Sequence, residues 1–204
     1  MPRLYEYLLS GNCYKARLLM TQLGVPYELV EVDIRKGESR TPAFLAKNPN
    51  GRIPLLELDD GRVLAESNAI LWYLAEGTPF LPSDRFQRAE VLQWMFFEQY
   101  SHEPNVATSR WWIHFLRVGE ERREALAQKH EAGMAALGVM ERHLADRRFF
   151  VADRYTIADI ALYAYTHVAG EGGFELARFP ATLQWCARVA AEPRHLAITQ
   201  GHLP

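Results

Sequence analysis

The sequence predicts a chain in two parts, an α/β unit of order βαβαββα followed by an all-helical unit. Three observations lead there. Up to Gly77 the apolar residues switch repeatedly between strand-like alternation and helical spacing, and after Ser83 the spacing is helical almost throughout. Gly, Pro, Asn and Asp bound each short segment of the first part. The 204 residues also leave room for two small units, at roughly 100–200 residues per ordinary domain.

Each element has a local reason. Residues 3–7 are short and aromatic and end at a Ser-Gly-Asn loop, as a strand does. From Cys13 the period turns helical, with Ala16, Leu19, Met20 and Leu23 on one face; Asn12 is the expected cap, and Gly24 and Pro26 stop the helix. Val30, Val32 and Ile34 alternate in a second strand over residues 27–34. Thr41-Pro42 opens a helix that ends near Asn48-Pro49, with Pro at the first helical position. Residues 53–58 and 62–65 form two strands joined by the tight turn Asp60-Gly61. Ser67 is the expected cap of a helix running to Gly77.

A linker is expected over residues 78–84, dividing a unit at 1–77 from a helical one at 85–204. Ser83 is expected to cap a long helix that Pro104 interrupts. A second helical stretch covers residues 106–116, and a third carries Leu126, Gly133, Leu137, Met140 and Leu144 on one face. Thr156 and Asp159 have capping-box spacing before an apolar helix. Pro180 opens the last helix, with Leu183, Trp185 and Val189 on its apolar side.

Composition narrows the function. With 49% hydrophobic and 24% charged residues the chain can bury a core and is not disordered. Lys plus Arg number 23 against 25 for Asp plus Glu, so nothing marks a nucleic acid or an acidic membrane as partner. Its two cysteines, Cys13 and Cys186, make neither a disulfide framework nor a zinc pattern. His102, His114 and His167 stand in no metal-ligand spacing, so no metal is expected. Neither a signal peptide nor a membrane span is expected, and the cytoplasm is the default location.

Three places can carry chemistry. Pro54 opens an apolar strand, and a cis Ile53–Pro54 bond, on that reading, turns the Ile53 backbone outward for an extended peptide ligand. Glu66-Ser67 begins a helix, whose free N–H groups suit a carboxylate while Glu66 suits an ammonium; together they match an amino-acid head group. Ser10-Gly11-Asn12-Cys13 begins another helix, where a hydroxyl or amide can stabilise a nearby thiolate. Read singly, each is equally a cap, a turn or a buried small residue. The first half, with its strand-opening proline, is thioredoxin-like.

Taken in order, three segments give the whole chain a resemblance to the cytosolic glutathione transferases. They are Asn48-Pro49-Asn50-Gly51-Arg52-Ile53-Pro54-Leu55-Leu56, then Leu64-Ala65-Glu66-Ser67-Asn68-Ala69-Ile70, then Thr156-Ile157-Ala158-Asp159. The resemblance implies glutathione as co-substrate, an electrophile as second substrate and a homodimer. It implies that Ile53, beside a cis Pro54, bonds the cysteinyl part of glutathione. Glu66 and Ser67 then hold the γ-glutamyl end, and Arg52, with Ser39 and Arg40, lies near the glycyl end. Leu8-Leu9-Ser10 resembles the theta class, Ser10-x-Asn12-x-x-Lys15 the nu-like bacterial pattern, and Gly11-Asn12-Cys13 the beta class. Ser10, Asn12 and Cys13 are therefore the catalytic candidates, taken in that order. Ser10 or Asn12 acts by donating a hydrogen bond to the sulfur, Cys13 by forming a mixed disulfide. Tyr100, Arg110, Trp111 and Tyr163 are the candidates for the electrophile pocket. Arg110, among tryptophans, needs an anionic partner or a route to water.

Glutathione transfer to a small hydrophobic electrophile is the leading expectation. A glutathione-dependent disulfide oxidoreductase is the first alternative, and a binding module with little catalysis the second.

Overall fold

A computed structural model describes residues 1–118 and 120–202. The chain forms two compact units, one of Met1–Thr78 together with the segment from Pro193, the other of Pro79–Glu192. The first is α/β and the second all-helical.

In the first unit the strands are β1 (Arg3–Glu6), β2 (Glu28–Glu31), β3 (Leu55–Glu57) and β4 (Val63–Ala65), in the order β2-β1-β3-β4. β1 pairs parallel with β2, with Leu4 opposite Leu29. A parallel pair needs a crossover. Helix α1 (Gly11–Leu23) supplies it. β1 pairs antiparallel with β3, Leu4 opposite Leu56, and β3 with β4, Leu56 opposite Leu64. Successive strand residues point to opposite faces. Leu4 and Leu56 accordingly join Ala16, Met20, Tyr27 and Ile70 in one core, against α1 and α3 (Ser67–Ala75). Tyr5 and Leu55 join Val32 and Phe44 in the other, against the one-turn helix α2 (Pro42–Leu45). Burying each Leu, Ile, Met, Val or Phe among them contributes about 1.5–3 kcal/mol, so both faces of this short sheet hold it together.

The caps differ in part from expectation. α1 begins two residues early: Ser10, not Asn12, is its cap and accepts from the Cys13 N–H. Gly24, in the left-handed region at φ 69, closes the other end with its N–H on Met20 and Thr21 carbonyls. Thr41 and Pro42 open α2 as predicted, but that helix ends at Leu45. Ser67 is the first residue of α3, and its cap is Glu66.

The second unit opens with α4 (Arg85–Phe97), capped by Asp84 rather than Ser83. Pro104 does not interrupt the helical path. The chain continues through a π turn at Glu98–His102, α5 (Glu103–Arg110) and a second π turn at Trp111–Leu116. In a regular α-helix the proline ring clashes with the carbonyl four residues back. The wider turn, in which the Glu103 N–H bonds to the Glu98 carbonyl, accommodates it. Pro104 lies in the first turn of α5, where a missing N–H is tolerated.

Helix α6 (Arg123–Leu144) buries Gly133, Ala136, Leu137, Met140 and Leu144. Gly133 is obligatory there, because a Cβ would meet the Phe174 ring at 2.5 Å. α7 (Ile157–Thr166) is buried along its whole length and starts with the predicted capping box of Thr156 and Asp159. In α8 (Pro180–Ala190) Leu183 is exposed and Thr182 takes the inward position beside Trp185 and Val189. Glu141 explains the exchange, since it accepts from the Thr182 amide and hydroxyl, both at 2.9 Å. Among the described residues no helix is long and apolar enough to cross a membrane.

Candidate functional site

The first unit brings together the N-termini of α1 and α3 and also holds the loop before β3. Ser10 is half-buried at the start of α1, and its oxygen accepts the Cys13 amide at 3.4 Å. A hydroxyl has one donor hydrogen beside its acceptor pairs, so accepting from the backbone leaves it able to donate. Asn12 and Lys15, one turn apart on α1, converge on Ser67 at the start of α3. The Ser67 hydroxyl donates to Asn12 Oδ1 at 3.4 Å and accepts from Lys15 Nζ at 3.3 Å. Lys15 and Ser67 are both buried. A cation beneath two helix N-termini, whose partial charges are also positive, gives this corner a field that favours anions.

Glu66 holds φ 70 and ψ 117. For a residue other than glycine the left-handed region costs of order 1–3 kcal/mol. The backbone reversal leaves the Glu66 carboxylate exposed at the mouth of α3 while Ser67 turns inward.

The Ile53–Pro54 bond is cis. Ile53 is half-buried and lies just ahead of the paired register of β3, which begins at Leu55 opposite Tyr5. Asn48 shapes the approach: its side chain donates to the Arg52 carbonyl at 2.7 Å and accepts from the Asn50 amide at 3.1 Å. Gly51, at φ +61, lies under Arg40, whose guanidinium a Cβ would meet at 2.7 Å. Arg40 also donates to the Asn50 carbonyl at 3.0 Å. Arg40 and Arg52 are exposed and Ser39 is buried.

Cys13 differs from Ser10 in kind. It is fully buried, and burial, assisted by the Glu6 carboxylate, pushes its thiol up to about 12. A thiol in that condition stays protonated near neutral pH and is a poor nucleophile. Burial likewise holds the Cys186 thiol up at about 12.

The candidates on the helical unit fall into two groups. Tyr100 is 87% exposed, on the first π turn. Trp111 is half-buried and tilts over Phe115, with ring centroids 5.1 Å apart. Arg110, by contrast, has the anionic partner its surroundings demand: it donates to Glu171 at 2.6 Å, and its guanidinium lies 5.0 Å from the Phe115 centroid. Tyr163 belongs to the core, stacked on His167 at 4.3 Å with its hydroxyl pKa raised by burial. His102 is buried against the Thr166 hydroxyl at 3.0 Å, and His167 bonds to the Tyr163 carbonyl at 2.7 Å.

Sequence reasoning missed what Asn48 does, although an Asn two residues before another turn residue is a known turn signal. It also missed Arg17, which no local pattern singles out.

Residues 9–76 match the family model of the glutathione S-transferase N-terminal domain, and residues 90–193 that of the glutathione S-transferase C-terminal domain. The chain belongs to the glutathione S-transferase family. It is similar to a glutathione S-transferase from Pseudomonas fluorescens [Pf-5] of known structure, 53% identical with TM-score 0.96, the match covering 98% of this chain and 99% of that one. It is 30% identical to the disulfide-bond oxidoreductase YfcG of Escherichia coli (strain K12), over 90% of this chain and 88% of that protein. A glutathione transferase from Phanerochaete chrysosporium, solved with oxidized glutathione, is 27% identical with TM-score 0.85, covering 95% of this chain and 90% of that one. Elongation factor 1-gamma of Artemia salina is 32% identical over 83% of this chain, which spans 40% of that protein's length.

Proposed function

We propose that the protein activates the thiol of glutathione for attack on a small hydrophobic electrophile. The observation that carries this reading is Ser10, whose hydroxyl stands half-buried at the N-terminus of α1. A hydrogen bond from Ser10 to the sulfur, in the positive field of the helix end, favours thiolate over thiol and lowers a pKa that is about 8.5 for a free cysteine. The thiolate attacks the electrophilic carbon, a C–S bond forms and the leaving group departs with the bonding pair. Around it, Ile53 bonds the cysteinyl backbone, and Glu66 and Ser67 take the γ-glutamyl ammonium and carboxylate. Arg52 and Arg40, with Ser39, serve the glycyl carboxylate. Tyr100 and Trp111 remain the candidates for contact with the electrophile, because Arg110 and Tyr163 are engaged within their own unit. Such a protein conjugates reactive compounds, works in the cytoplasm and needs no metal.

A second reading is supported by the Asn12–Ser67–Lys15 link and by similarity to an oxidoreductase. Here Asn12 holds the thiolate, which attacks a mixed disulfide of glutathione. Oxidised glutathione forms, and the other thiol leaves as thiolate. Purified protein offered glutathione with a chlorodinitrobenzene in one arm and a mixed disulfide in the other is expected to turn over the first faster. Turnover of the disulfide alone selects the second reading, and calorimetry without glutathione binding refutes both.

We further propose that the protein is a homodimer. Phe86 and Phe96 lie on α4 at 72% and 69% exposure. Exposed apolar rings on one helix offer a second copy an apolar surface to bury. Phe96→Glu is expected to move the protein from dimer to monomer mass in light scattering; an unchanged dimer mass places the interface elsewhere.

A further inference from the structure

The segment from Pro193 belongs to the α/β unit, and its contacts form a row along α1. Leu196 and Ile198 are buried. The Tyr14 hydroxyl donates to the Leu196 carbonyl at 2.6 Å and lies 3.2 Å from His195 Nε2. Arg17 Nη2 donates to the Ile198 carbonyl at 2.7 Å. Arg194 donates to the Thr21 carbonyl at 2.6 Å, and Tyr27 to the Gly201 carbonyl at 3.1 Å. Gly201 lies so close to Leu29 that a Cβ would stand 2.9 Å from its methyl. Tyr14, Arg17 and Thr21 recur at helical spacing, so residues 194–202 form a strap along one face of α1.

Arg17 ties this strap to the candidate site. Its guanidinium is fully buried and pairs through Nη1 with Glu6, at the end of β1. Nη2 has two hydrogens: one goes to Ile198 and the other to the Leu8 carbonyl at 2.9 Å. Leu8 lies in the turn between β1 and α1, two residues before Ser10, and the Ser10 amide bonds back to Tyr7 at 2.8 Å. A planar fork can serve all three acceptors only in one orientation. The strap therefore helps fix the fork by occupying one of its N–H groups.

We propose that the C-terminal strap is a positioning element for the β1–α1 turn, acting through Arg17. With the strap in place the turn has one arrangement and Ser10 one position; with it displaced, Leu8 loses a fixed donor and the turn becomes mobile. The consequence for chemistry rests on the function proposed above. A misplaced Ser10 donor raises the pKa of the bound glutathione thiol and slows conjugation by about tenfold or more, since misplacements near 1 Å can cost as much as 10²-fold.

The test uses the full chain with Cys186→Ser, which leaves Cys13 as the reporter thiol. Ile198→Asp evicts a buried side chain of the strap without touching the turn; Arg17→Lys keeps the charge opposite Glu6 but lacks the fork. In both, Cys13 labelling by a thiol reagent and amide exchange at Cys13 and Tyr14 are expected to accelerate by about tenfold, as for the loss of one hydrogen bond to a charged group. Exchange at Leu55 and Leu56, in the centre of the sheet, is expected to keep its rate. A uniform rise across the unit overturns the proposal, because it marks general destabilisation. Wild-type rates at the turn, with the strap shown by limited proteolysis to be released, overturn it too. These readouts need no glutathione. A responsive turn in a protein that binds no glutathione upholds the strap and refutes the proposed activity; a raised thiol pKa in the Ile198→Asp complex upholds both.

Discussion

Ser10→Ala is expected to lower the conjugation rate by roughly 10²-fold while the protein stays folded. The rate figure follows from the loss of one preorganised donor to a developing or resident anion, which costs roughly 10²–10³-fold in comparable sites. The stability figure follows from the other role of Ser10, as the cap of α1 accepting the Cys13 amide at 3.4 Å. Loss of such a cap costs about 1 kcal/mol. The two effects separate by measurement: thermal unfolding reads the cap, and the pH–rate profile reads the thiol. In the wild type the rising limb of that profile marks the lowered pKa of bound glutathione. In Ser10→Ala it moves up towards about 8.5, so the deficit is large at neutral pH and shrinks in alkaline solution. Ser10→Thr keeps the hydroxyl and is expected to restore most of the rate. A Ser10→Ala protein that conjugates normally, alongside an inactive Asn12→Ala, transfers the role to Asn12. Loss of turnover in Cys13→Ala alone overturns the assignment to a hydroxyl, and with it the inference drawn from the burial of Cys13.

Asp159→Ala is expected to be the most destabilising single change in the helical unit. One buried carboxylate there receives four donors. They are the Phe150 amide at 3.1 Å, the Thr156 amide at 2.9 Å, the Thr156 hydroxyl at 3.1 Å and the Trp185 indole N–H at 2.9 Å. Those groups belong to the start of α7, the segment ahead of it and α8, so the side chain joins three parts of one core. Each buried donor left without a partner costs about 1–3 kcal/mol, partly relieved by relaxation. A total of about 4 kcal/mol is expected, read as a fall of roughly 10 °C in melting temperature for a chain of this size. Asp159→Asn keeps one acceptor oxygen but turns its amide towards the remaining donors, and should fall between. A loss below about 1 kcal/mol for Asp159→Ala would mean that these bonds contribute little net stability. The outcome does not depend on glutathione.

Much of the fold was legible because it is local. The period of the apolar residues located the strands and most of the helices. Asp60-Gly61, Thr41-Pro42 and the Thr156–Asp159 box each carry their own reason for a turn or a helix start. The errors lie where two local solutions compete. Ser10 and Asn12 can each cap α1, and Ser83 and Asp84 can each cap α4; the caps are the residues whose side chains accept the free amides, Ser10 from Cys13 and Asp84 from Phe86 and Gln87. Pro104 reads as a helix end, yet a wider turn absorbs it because the residues on either side are held in the same bundle.

The chain's composition and order by themselves determined an α/β unit followed by helices and the proline that opens β3. The resemblance to the glutathione transferases proposed Ser10, Asn12 and Cys13 for the thiol chemistry. The choice among these three turns on tertiary structure, since a helix advances about 100° per residue and only packing against a sheet decides which residues face inward. That packing buried Cys13 and left both Ser10 and Asn12 half-buried. It also brought the segment from Pro193, expected with the helices, onto the α/β unit. No local pattern encodes that placement, because the bonds that make it join residues as far apart in sequence as Tyr14 and Leu196.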